Sequence, residues 1–558
     1  MSPADLWLHG AVPVLVTALL ARALWAWAAT ETSAAWLLTH RRAAESDPAP
    51  ASAQADAESP WLVVLLPMLR EQTIAPAAIE AFTALDYPRD RAAVAVITTE
   101  REEDARRSAR AGLPALAQRP LLPGDLRGLF PAARCPDVAD AVNNAAPDQR
   151  EQVLYDLYDA EPTTRHVVAE AAADLPTGRL RLAHLHQGDV PGRKAGQLNT
   201  ALDQLDRILG PLGWTETDHA EHTYLVVYDA DALPDTATLH SFARTARAHR
   251  ARTGRRPALI QQQRLPLAAR RPFPPAPTGL LLAGEWIYQL RRSLGIELAR
   301  LRLHHWLTRT RLAGPLRTLL RPMIYAVGCG MAVHLPALRA LDGFPEPMED
   351  LGTGHRLSLL GADIAPTGAL VLDEPYTDPA GLTNLHALAF TASARPDRHA
   401  AAIARLPSRL PRTGKAALIA REWADEAAWL LGAPLAAAAV VSSWWSGPWW
   451  AALAATAVLL HGPVLARRRA APAAGDPSED GVAAVVMAPP AVLDRRETGS
   501  GRDLAGRLRD HGPLFRRSGR LSGEDLDDGG HEVLGRLFDL IYDGLDRRGG
   551  LAAAAGHE

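Results

Sequence analysis

Two carboxylates separated by a single residue, Asp229 and Asp231, follow the apolar segment TYLVVY that begins at Thr223. This segment is β-prone and predicts a buried strand, along which residues two apart point to the same side. Neighbouring carboxylates repel each other, so we expect a cation between them and a bound phosphate. Such oxygen ligands suit Mg²⁺ or Mn²⁺, which also neutralise a diphosphate leaving group. A solvated strand end is the alternative interpretation.

A basic segment lies upstream, where Gly192 and Gly196 bracket Arg193 and Lys194 before a predicted helix that carries Asn199. A basic side chain on a glycine-containing loop at a helix N-terminus can clamp a diphosphate. A lysine in an ordinary surface loop is the alternative.

An acidic pair, Glu349 and Asp350, opens a further predicted helix that carries His355 and Arg356. A carboxylate at this position could accept the proton of an attacking hydroxyl group, as a general base does. Capping of the helix N-terminus and compensation of the helix dipole are the alternative roles.

These side chains need a sheet to position them. The segment WLVVLLP from Trp61 predicts a buried strand, 75–85 a helix and 93–98 the next strand. This order implies a parallel βαβ unit, which binds ligands at the carboxyl ends of its strands. PALIQQQRLP predicts another strand, and Gly328 and Gly330 downstream permit a close approach of the backbone to a ligand.

Length and composition exclude several classes of protein. The 558 residues predict one large domain with appendages. The formal net charge of −3 argues against a nucleic-acid-binding protein. The two cysteines, Cys135 and Cys329, cannot form a disulfide framework or a cysteine-rich zinc site, and they fit a reducing compartment.

The first apolar stretch, 11–29, predicts a membrane anchor. Arg41 and Arg42 follow it, and no Lys or Arg precedes it, so its C-terminal side is expected in the cytoplasm. A signal peptide would need a basic segment at its start. A buried amphipathic helix is the other alternative, since Arg22 is costly in lipid.

Two later apolar runs, 427–441 and 449–466, predict a transmembrane hairpin. Gly447 and Pro448 suit the turn between them, and the basic run 467–469 places the end of the hairpin in the cytoplasm. The first run is short for a full span, which leaves a tilted or re-entrant hairpin open. The prediction is a multi-pass cell-membrane protein with its catalytic domain in the cytoplasm.

In chain order, the motifs PMLREQ, YP, GRKAGQLN, DAD, GCGMAVH and LDGFPEPMEDLGTGHRL resemble those of the family-2 glycosyltransferases. Cellulose synthase, chitin synthase and dolichyl-phosphate mannose synthase belong to that group. The resemblance covers roughly residues 61–378 and rests on the order of the motifs. It implies an α/β domain of the GT-A type, with a Rossmann-like, mixed, mainly parallel sheet flanked by helices.

The resemblance also implies roles for individual residues. Asp229 and Asp231 would hold Mg²⁺ or Mn²⁺, and Asp350, with Glu349, would supply the catalytic base. The nucleotide-sugar donor would contact Pro67, Glu71, Glu100, Lys194, Asn199 and Asp229. The acceptor would contact Gly328, Cys329, Gly330, His355 and Arg356.

The chain departs from the family pattern in two places. The second strand ends in Thr98-Thr99-Glu100, where the family usually carries an Asp pair that holds the nucleotide base, so the identity of the base stays open. The QxxRW motif of the processive members is missing between Asp350 and the predicted hairpin, where Arg421-Glu422-Trp423 is only faintly similar. A single transfer is therefore expected rather than polymer secretion.

The predicted protein is a membrane-associated, inverting glycosyltransferase acting on a lipid-linked, glycan or membrane-proximal acceptor. The alternatives are a processive polysaccharide synthase, a nucleotidyltransferase, which would need a glycine-rich loop after its first strand, and a degenerate membrane scaffold. The expected parts are an anchor at 1–42, a linker at 43–59, the GT-A domain at 60–412, an amphipathic helix and hairpin at 413–469, and a cytosolic tail at 470–558 with a helix at 532–546.

Overall fold

The computed structural model describes residues 12–46, 59–131, 133–188, 193–266, 278–310, 312–324, 326–346, 348–373, 396–446 and 449–458. Eight strands are found in these ranges: β1 Trp61–Pro67, β2 Ala92–Thr99, β3 Arg181–Gln187, β4 Thr223–Val227, β5 Leu233–Pro234, β6 Leu259–Pro266, β7 Met331–His334 and β8 Ile364–Asp373. They form one sheet in the order β3-β2-β1-β4-β7-β6-β8-β5.

Helices surround this sheet. Those before β6 are α1 Val12–Ser46, α2 Ala75–Thr83, α3 Glu100–Ala117, α4 Cys135–Asn144, α5 Arg150–Asp159, α6 Thr164–Ala173, α7 Lys194–Asp203, α8 Leu205–Leu209, α9 Glu216–His219 and α10 Thr238–Thr253. Those after it are α11 Thr278–Arg291, α12 Ala299–Arg309, α13 Gly314–Leu320, α14 Leu335–Arg339, α15 Glu349–Leu359, α16 Pro396–Arg405, α17 Arg412–Ser446 and α18 Trp449–Val458. A π-helix, Arg292–Leu298, joins α11 to α12, and short 3₁₀ turns lie at Pro123–Leu126, Gly210–Leu212 and Ala220–His222.

The sheet is mainly parallel. Strands β3, β2, β1 and β4 run parallel to one another, as do β6 and β8, whereas β7 runs antiparallel to β4 and β6, and β5 runs antiparallel to β8. The predicted mixed, mainly parallel sheet flanked by helices is therefore confirmed, and so is the first βαβ unit.

The strands are continuous apolar runs because both faces of the sheet are covered. Along β1, Val63 and Leu65 pack towards α7 and α8, and Leu62 and Val64 pack towards α2 and α10. A parallel sheet buried on both faces requires this composition. The two cores hold the carboxyl ends of β1, β2 and β4 at one edge of the sheet. Polar residues follow each of these strands at that edge.

Helices α3 to α5, between β2 and β3, form a small unit with its own apolar core, which includes Leu113, Val138 and Leu154. Val168 of α6 packs instead in the core that covers β1. Thr99 caps α3 by accepting a hydrogen bond from the backbone N–H of Arg101, at 3.3 Å. Strand β3 follows this segment and brings two histidines, His184 and His186, to the sheet edge.

The N-terminal helix α1 has two different halves. Its described residues 12–37 are the one described helix long and apolar enough to cross a membrane, with a mean hydropathy of 1.7. Leu24 and Trp25 are exposed, whereas Ala34 and Leu37 are buried in a core shared with Leu294. The helix therefore has an apolar exposed half and a half built into the domain.

The predicted transmembrane hairpin is not supported. Its apolar helical parts span Pro434–Trp445 and Trp449–Val458, which is shorter than the roughly 20 residues that a membrane-spanning helix needs. Trp444 donates a hydrogen bond from Nε1 to Oγ1 of Thr456, and Ala439 and Ala451 pack on Val12 of α1. The multi-pass topology is likewise unsupported; the end of the second run, the tail and its predicted helix lie outside the described residues.

Candidate active site

Lys194 lies at the centre of a charged cluster. Its Nζ is 2.6 Å from Oδ1 of Asp229, 3.2 Å from Oε1 of Glu349 and 3.5 Å from the carbonyl oxygen of Gly328. Burial acts to lower the pKa of Lys194, but Asp229 and Glu349 raise it above its usual range, so the side chain stays charged. The cluster unites residues from α7, the end of β4, the loop before β7 and the start of α15.

Gly328 brings the acidic pair into this cluster. Its backbone N–H donates to Oδ2 of Asp350 at 3.0 Å. A Cβ atom at Gly328 would lie 3.0 Å from that oxygen, 3.2 Å from Nζ of Lys194 and 3.4 Å from Oε1 of Glu349. Only glycine leaves this space open, as expected for a backbone that approaches functional groups closely.

Two buried glutamines of β6 fix the loop around Gly328. Gln261 accepts a hydrogen bond from the Val327 N–H at 3.0 Å and donates to the Gly330 carbonyl at 3.2 Å. Gln262 accepts from the hydroxyl of Tyr228 and leaves no room for a side chain at Gly330, whose φ is +74°. The segment PALIQQQRLP predicts the strand, but no local pattern in it reveals this role of the glutamines.

The two carboxylates of the DAD motif do not lie on an extended strand. Strand β4 ends at Val227, and the chain turns so that the N–H of Ala232 donates to the carbonyl of Asp229 at 3.2 Å. The reasoning from strand alternation is therefore wrong here. Asp229 and Asp231 nevertheless share a neighbour, because both raise the pKa of Glu71, which burial and these charges bring to about 7.

Glu102 organises the loop that carries Glu71, and the sequence analysis missed it. Its carboxylate accepts hydrogen bonds from the Arg70 N–H at 3.0 Å, from Nε2 of Gln72 at 2.8 Å and from the Thr164 N–H at 2.9 Å. Arg70 has a φ of 62°, a conformation that non-glycine residues adopt at a cost. A buried carboxylate thus holds a strained loop beside the DAD turn.

A separate polar network lies at the ends of β2 and β3, where the nucleotide base was expected. Thr98 Oγ1 is 3.0 Å from both His184 Nε2 and His186 Nδ1. His186 Nε2 is 3.1 Å from Glu100, which Arg107 also contacts. The hydrogen bond from His186 and the contact with Arg107 lower the pKa of Glu100. The alternating pattern His-x-His at a strand end was the signal that could have revealed this network.

The loop after Pro67 is tied to α7 through its backbone. Gln197 donates from Nε2 to the carbonyl of Met68 at 3.0 Å and to that of Ile97 at 2.6 Å. Pro67 itself pairs with Ile97 at the end of β1. The helix that begins with Lys194 is therefore locked to the ends of both β1 and β2.

Other candidate residues lie outside the charged cluster. Asn199 exchanges two hydrogen bonds with the backbone of Phe344, at 2.8 and 3.0 Å. His355 is buried against Glu422 of α17, with Nε2 3.4 Å from Oε1. Asn199 and His355 therefore contact parts of the chain outside the cluster around Lys194.

The side chains of Arg356 and Cys329 also contact parts of the chain outside the charged cluster. Arg356 donates to the carbonyl of Leu341 at 3.2 Å, and the Cys329 side chain is buried in the core between β1 and α10. Gly192 lies outside the described residues. The structure thus unites Lys194, Asp229, Gly328, Glu349 and Asp350, with Glu71 near Asp229 and Asp231.

A divalent cation fits the residues present in one respect. Burial and, after it, the charges of Asp231 and Asp229 raise the pKa of Glu71, and a cation would relieve the repulsion between these carboxylates. Among the described residues, no three His, Cys, Asp or Glu side chains are already arranged as metal ligands. Mg²⁺ commonly uses one or two carboxylates with substrate phosphates and water, so Asp229 and Asp231 could suffice when a diphosphate is present.

No family model and no curated protein matches this chain. Its structure is similar to a mannosyltransferase from Pyrobaculum calidifontis, described in complex with GDP-Man and Mn²⁺, with a TM-score of 0.37, 18% identity and coverage of 80% of this chain and 92% of that one. It is also similar to TarS 1–349 from S. aureus, with a TM-score of 0.32, 11% identity and coverage of 84% and 95%. Both TM-scores are low, so neither likeness assigns a family or an activity.

Proposed function

We propose that this chain is a membrane-associated glycosyltransferase that moves a sugar from a nucleotide-sugar donor to an acceptor hydroxyl, with inversion. The observation that carries this proposal is the convergence of Lys194, Asp229, Gly328, Glu349 and Asp350 at the carboxyl ends of the parallel strands. In open α/β sheets this edge is where ligands bind. The resemblance of the motif series to family-2 glycosyltransferases supports the same activity.

In this proposal the donor diphosphate binds beside Lys194 and the DAD turn. Lys194 stays charged and offers an ammonium to phosphate oxygens, exchanging part of its contact with Asp229. Asp229 and Asp231 would hold Mg²⁺ or Mn²⁺, which supplies charge neutralisation for the departing diphosphate. Glu71 lies near both carboxylates of the DAD turn, and the same metal would neutralise part of the repulsion between them.

In the same proposal the nucleotide base binds against the network of Thr98, His184, His186 and Glu100. This network stands at the carboxyl ends of β2 and β3, beside the loop that bears Glu71. Hydroxyl, imidazole and carboxylate groups can together donate to and accept from a base edge. They take the place of the carboxylate pair that the family pattern usually supplies.

Asp350 is the proposed general base. Its carboxylate is oriented by the N–H groups of Gly328 and Leu351, at 3.0 and 2.7 Å. Glu349 lies next to it, and burial together with Asp350 raises the pKa of Glu349 against the opposing effect of Lys194. An acceptor hydroxyl between Asp350 and the donor would lose its proton to this carboxylate as it attacks the anomeric carbon.

The exposed apolar half of α1 is proposed to anchor the enzyme at a membrane, with the catalytic domain on the cytoplasmic side. A lipid-linked or membrane-proximal acceptor follows from that position. A single transfer is favoured because the sequence carries no QxxRW motif between Asp350 and 427.

A donor screen tests the proposed activity. The purified full-length chain is incubated in detergent with each common nucleotide-sugar, Mn²⁺ or Mg²⁺ and membrane lipids, and release of nucleoside diphosphate is measured. We expect release from one donor class, lost on chelation. Asp350→Asn should lower kcat by about 10²- to 10⁴-fold, the usual contribution of a general base, and Asp231→Asn should weaken activation by the metal.

Asp203→Asn is the matched control, since this carboxylate on α7 is 75% exposed and distant from the cluster. Release that persists at the wild-type rate in both site variants would leave the activity in place and remove the site assignment. Absence of release from every donor would contradict the enzyme proposal itself.

A further inference from the structure

A second polar cavity lies at the opposite edge of the sheet from the charged cluster. Tyr224 lies near the start of β4 and pairs with His334 at the end of β7, which also contacts Ala258 just before β6. Asp229 follows the other end of β4, so these residues define the edge of the sheet opposite the charged cluster. The cavity has a volume of about 430 Å³ and opens between the end of α10, α12, α13 and the residue before β8. It has no part in the proposed donor site.

Arginines dominate the lining of this cavity. Arg252, Arg255, Arg317 and Arg321 line it, together with a single carboxylate, Asp363. Arg255 already pairs with Asp363 at 3.0 Å. Within the described part of the chain, neither Arg252 nor Arg317 pairs with a carboxylate. We call this site the arginine cavity.

The positive charge of the arginine cavity is incompletely compensated. Burial and the charge of Arg317 lower the pKa of Arg321 to about 10 despite the presence of Asp363. The Nε of Arg321 is buried without a hydrogen-bond partner among the described residues. Burial and the charge of Arg321 hold the pKa of His304, which lines the cavity, well below its usual value. An anion would stabilise all of these groups.

An exposed apolar face adjoins the cavity. Helix α13 contributes Arg317 and Thr318 to the lining, and its Leu316, Leu319 and Leu320 are 44%, 46% and 38% exposed. Residues three and four apart lie on the same side of a helix, so the leucines form one apolar strip next to the arginines. Among the described residues of α13, none is buried.

We propose that the arginine cavity binds the phosphate of an anionic phospholipid headgroup, with the leucines of α13 in the adjoining apolar layer. Guanidinium groups match phosphate oxygens in bidentate geometry and charge. A free phosphate offers the same chemistry to the arginines but gives the exposed leucines no partner. The leucine strip therefore favours the lipid as the source of the phosphate.

Binding of short-chain lipids to the full chain in detergent tests this proposal by native mass spectrometry. The probes are dioctanoyl phosphatidylglycerol, dioctanoyl phosphatidylcholine and glycerol phosphate. We expect phosphatidylglycerol to bind most tightly. Arg252→Gln with Arg317→Gln should weaken it by about 10- to 30-fold, since each arginine near an anionic headgroup contributes a factor of roughly five.

The control removes the same charge elsewhere, by Arg127→Gln with Arg250→Gln, two exposed arginines outside the cavity. Leu316→Ser with Leu320→Ser should weaken the lipid while leaving the binding of glycerol phosphate unchanged. Equal binding of the two lipids, or an equal loss in the control, would overturn the site. Glycerol phosphate binding as tightly as phosphatidylglycerol would overturn the lipid as its occupant.

Discussion

At the residue scale, the proposed active site is a set of charges that depend on one another. Lys194 lies between Asp229 and Glu349, and without it two partly buried carboxylates would face each other. The opposite effects of burial and of Lys194 leave the pKa of Asp229 below its usual value. The lysine therefore keeps Asp229 ionised before any donor arrives, at a place where burial would favour protonation.

Gly328→Ala should reduce turnover without unfolding the protein. The added methyl group would lie 3.0 Å from Asp350 and 3.2 Å from Lys194, so both side chains must move by several tenths of an ångström. Small displacements of reacting groups cost up to about 10²-fold in rate, and we expect kcat to fall by roughly 10- to 100-fold. Steady-state kinetics and the thermal unfolding midpoint measure the two effects.

Gly112→Ala is the control, since a methyl group there meets no atom within 4 Å and favours the helix. A Gly328→Ala enzyme with wild-type kcat would show that the close contact of Gly328 with the acidic pair has no part in the reaction.

At the scale of elements, α15 connects the proposed catalytic base with the long helix α17. The acidic pair opens α15, and His355, two turns on, contacts Glu422 of α17. Arg300 reaches the same group of carboxylates, at 3.8 Å from Glu422. Glu426, one turn after Glu422, is buried here, and α17 itself continues towards the apolar segment beside α1.

Glu426→Gln should stabilise the protein at alkaline pH. Burial and the carboxylates of Glu422 and Asp425 raise the pKa of Glu426 from 4.5 to about 8. The folded chain retains a proton that the unfolded chain releases, so this group lowers stability as pH rises between these two values. A neutral amide removes the loss, and we expect a gain of at least about 1.4 kcal/mol above pH 8, the equivalent of one pKa unit.

Thermal unfolding of both proteins near pH 4.5 and above pH 8 measures this gain. The difference between variant and wild type should be small at the lower pH and large at the higher one. The exposed Glu170→Gln serves as the control. A difference that is independent of pH would contradict the assignment of a shifted Glu426.

At the scale of the whole molecule, α1 belongs to two environments. Its first half exposes Leu24 and Trp25, and its second half completes the core formed with the π-helix and β8. The backbone of His40 lies so close to Gly368 of β8 that a Cβ there would be 3.2 Å from the His40 carbonyl oxygen. The helix proposed as the anchor is therefore a structural part of the domain, and anchoring through it would fix the orientation of the domain relative to a bilayer.

Leu37→Ala should destabilise the domain and Leu24→Ala should not. Leu37 is 1% exposed and packs in the shared core, whereas Leu24 on the same helix is 64% exposed. Truncation of a buried leucine costs about 2–5 kcal/mol, and an exposed one changes stability by roughly 0.5 kcal/mol or less. Thermal unfolding in detergent compares the two, and equal midpoints would show that α1 adds no stability to the domain.

Features of this protein that depend on short-range patterns could be predicted from the amino-acid sequence alone. Apolar runs at Trp61, Ala93 and Thr223 became strands because both faces of the sheet are buried, and the polar residues after them had to lie at one edge. The acidic pair at the start of α15 followed from a helix boundary in the sequence.

The contacts between distant side chains depend on the three-dimensional fold. Lys194 and Asp229 are 35 residues apart, and Glu102 and Thr164 are 62 apart, so no local pattern reveals their contacts. Glu102 stands in the run EREED, where nothing in the sequence distinguishes the one buried carboxylate from its more accessible neighbours. Apolarity also cannot separate a helix that faces lipid from one that faces protein, because both exclude water. For that reason the packing of α1, α17 and α18 had to come from the structure.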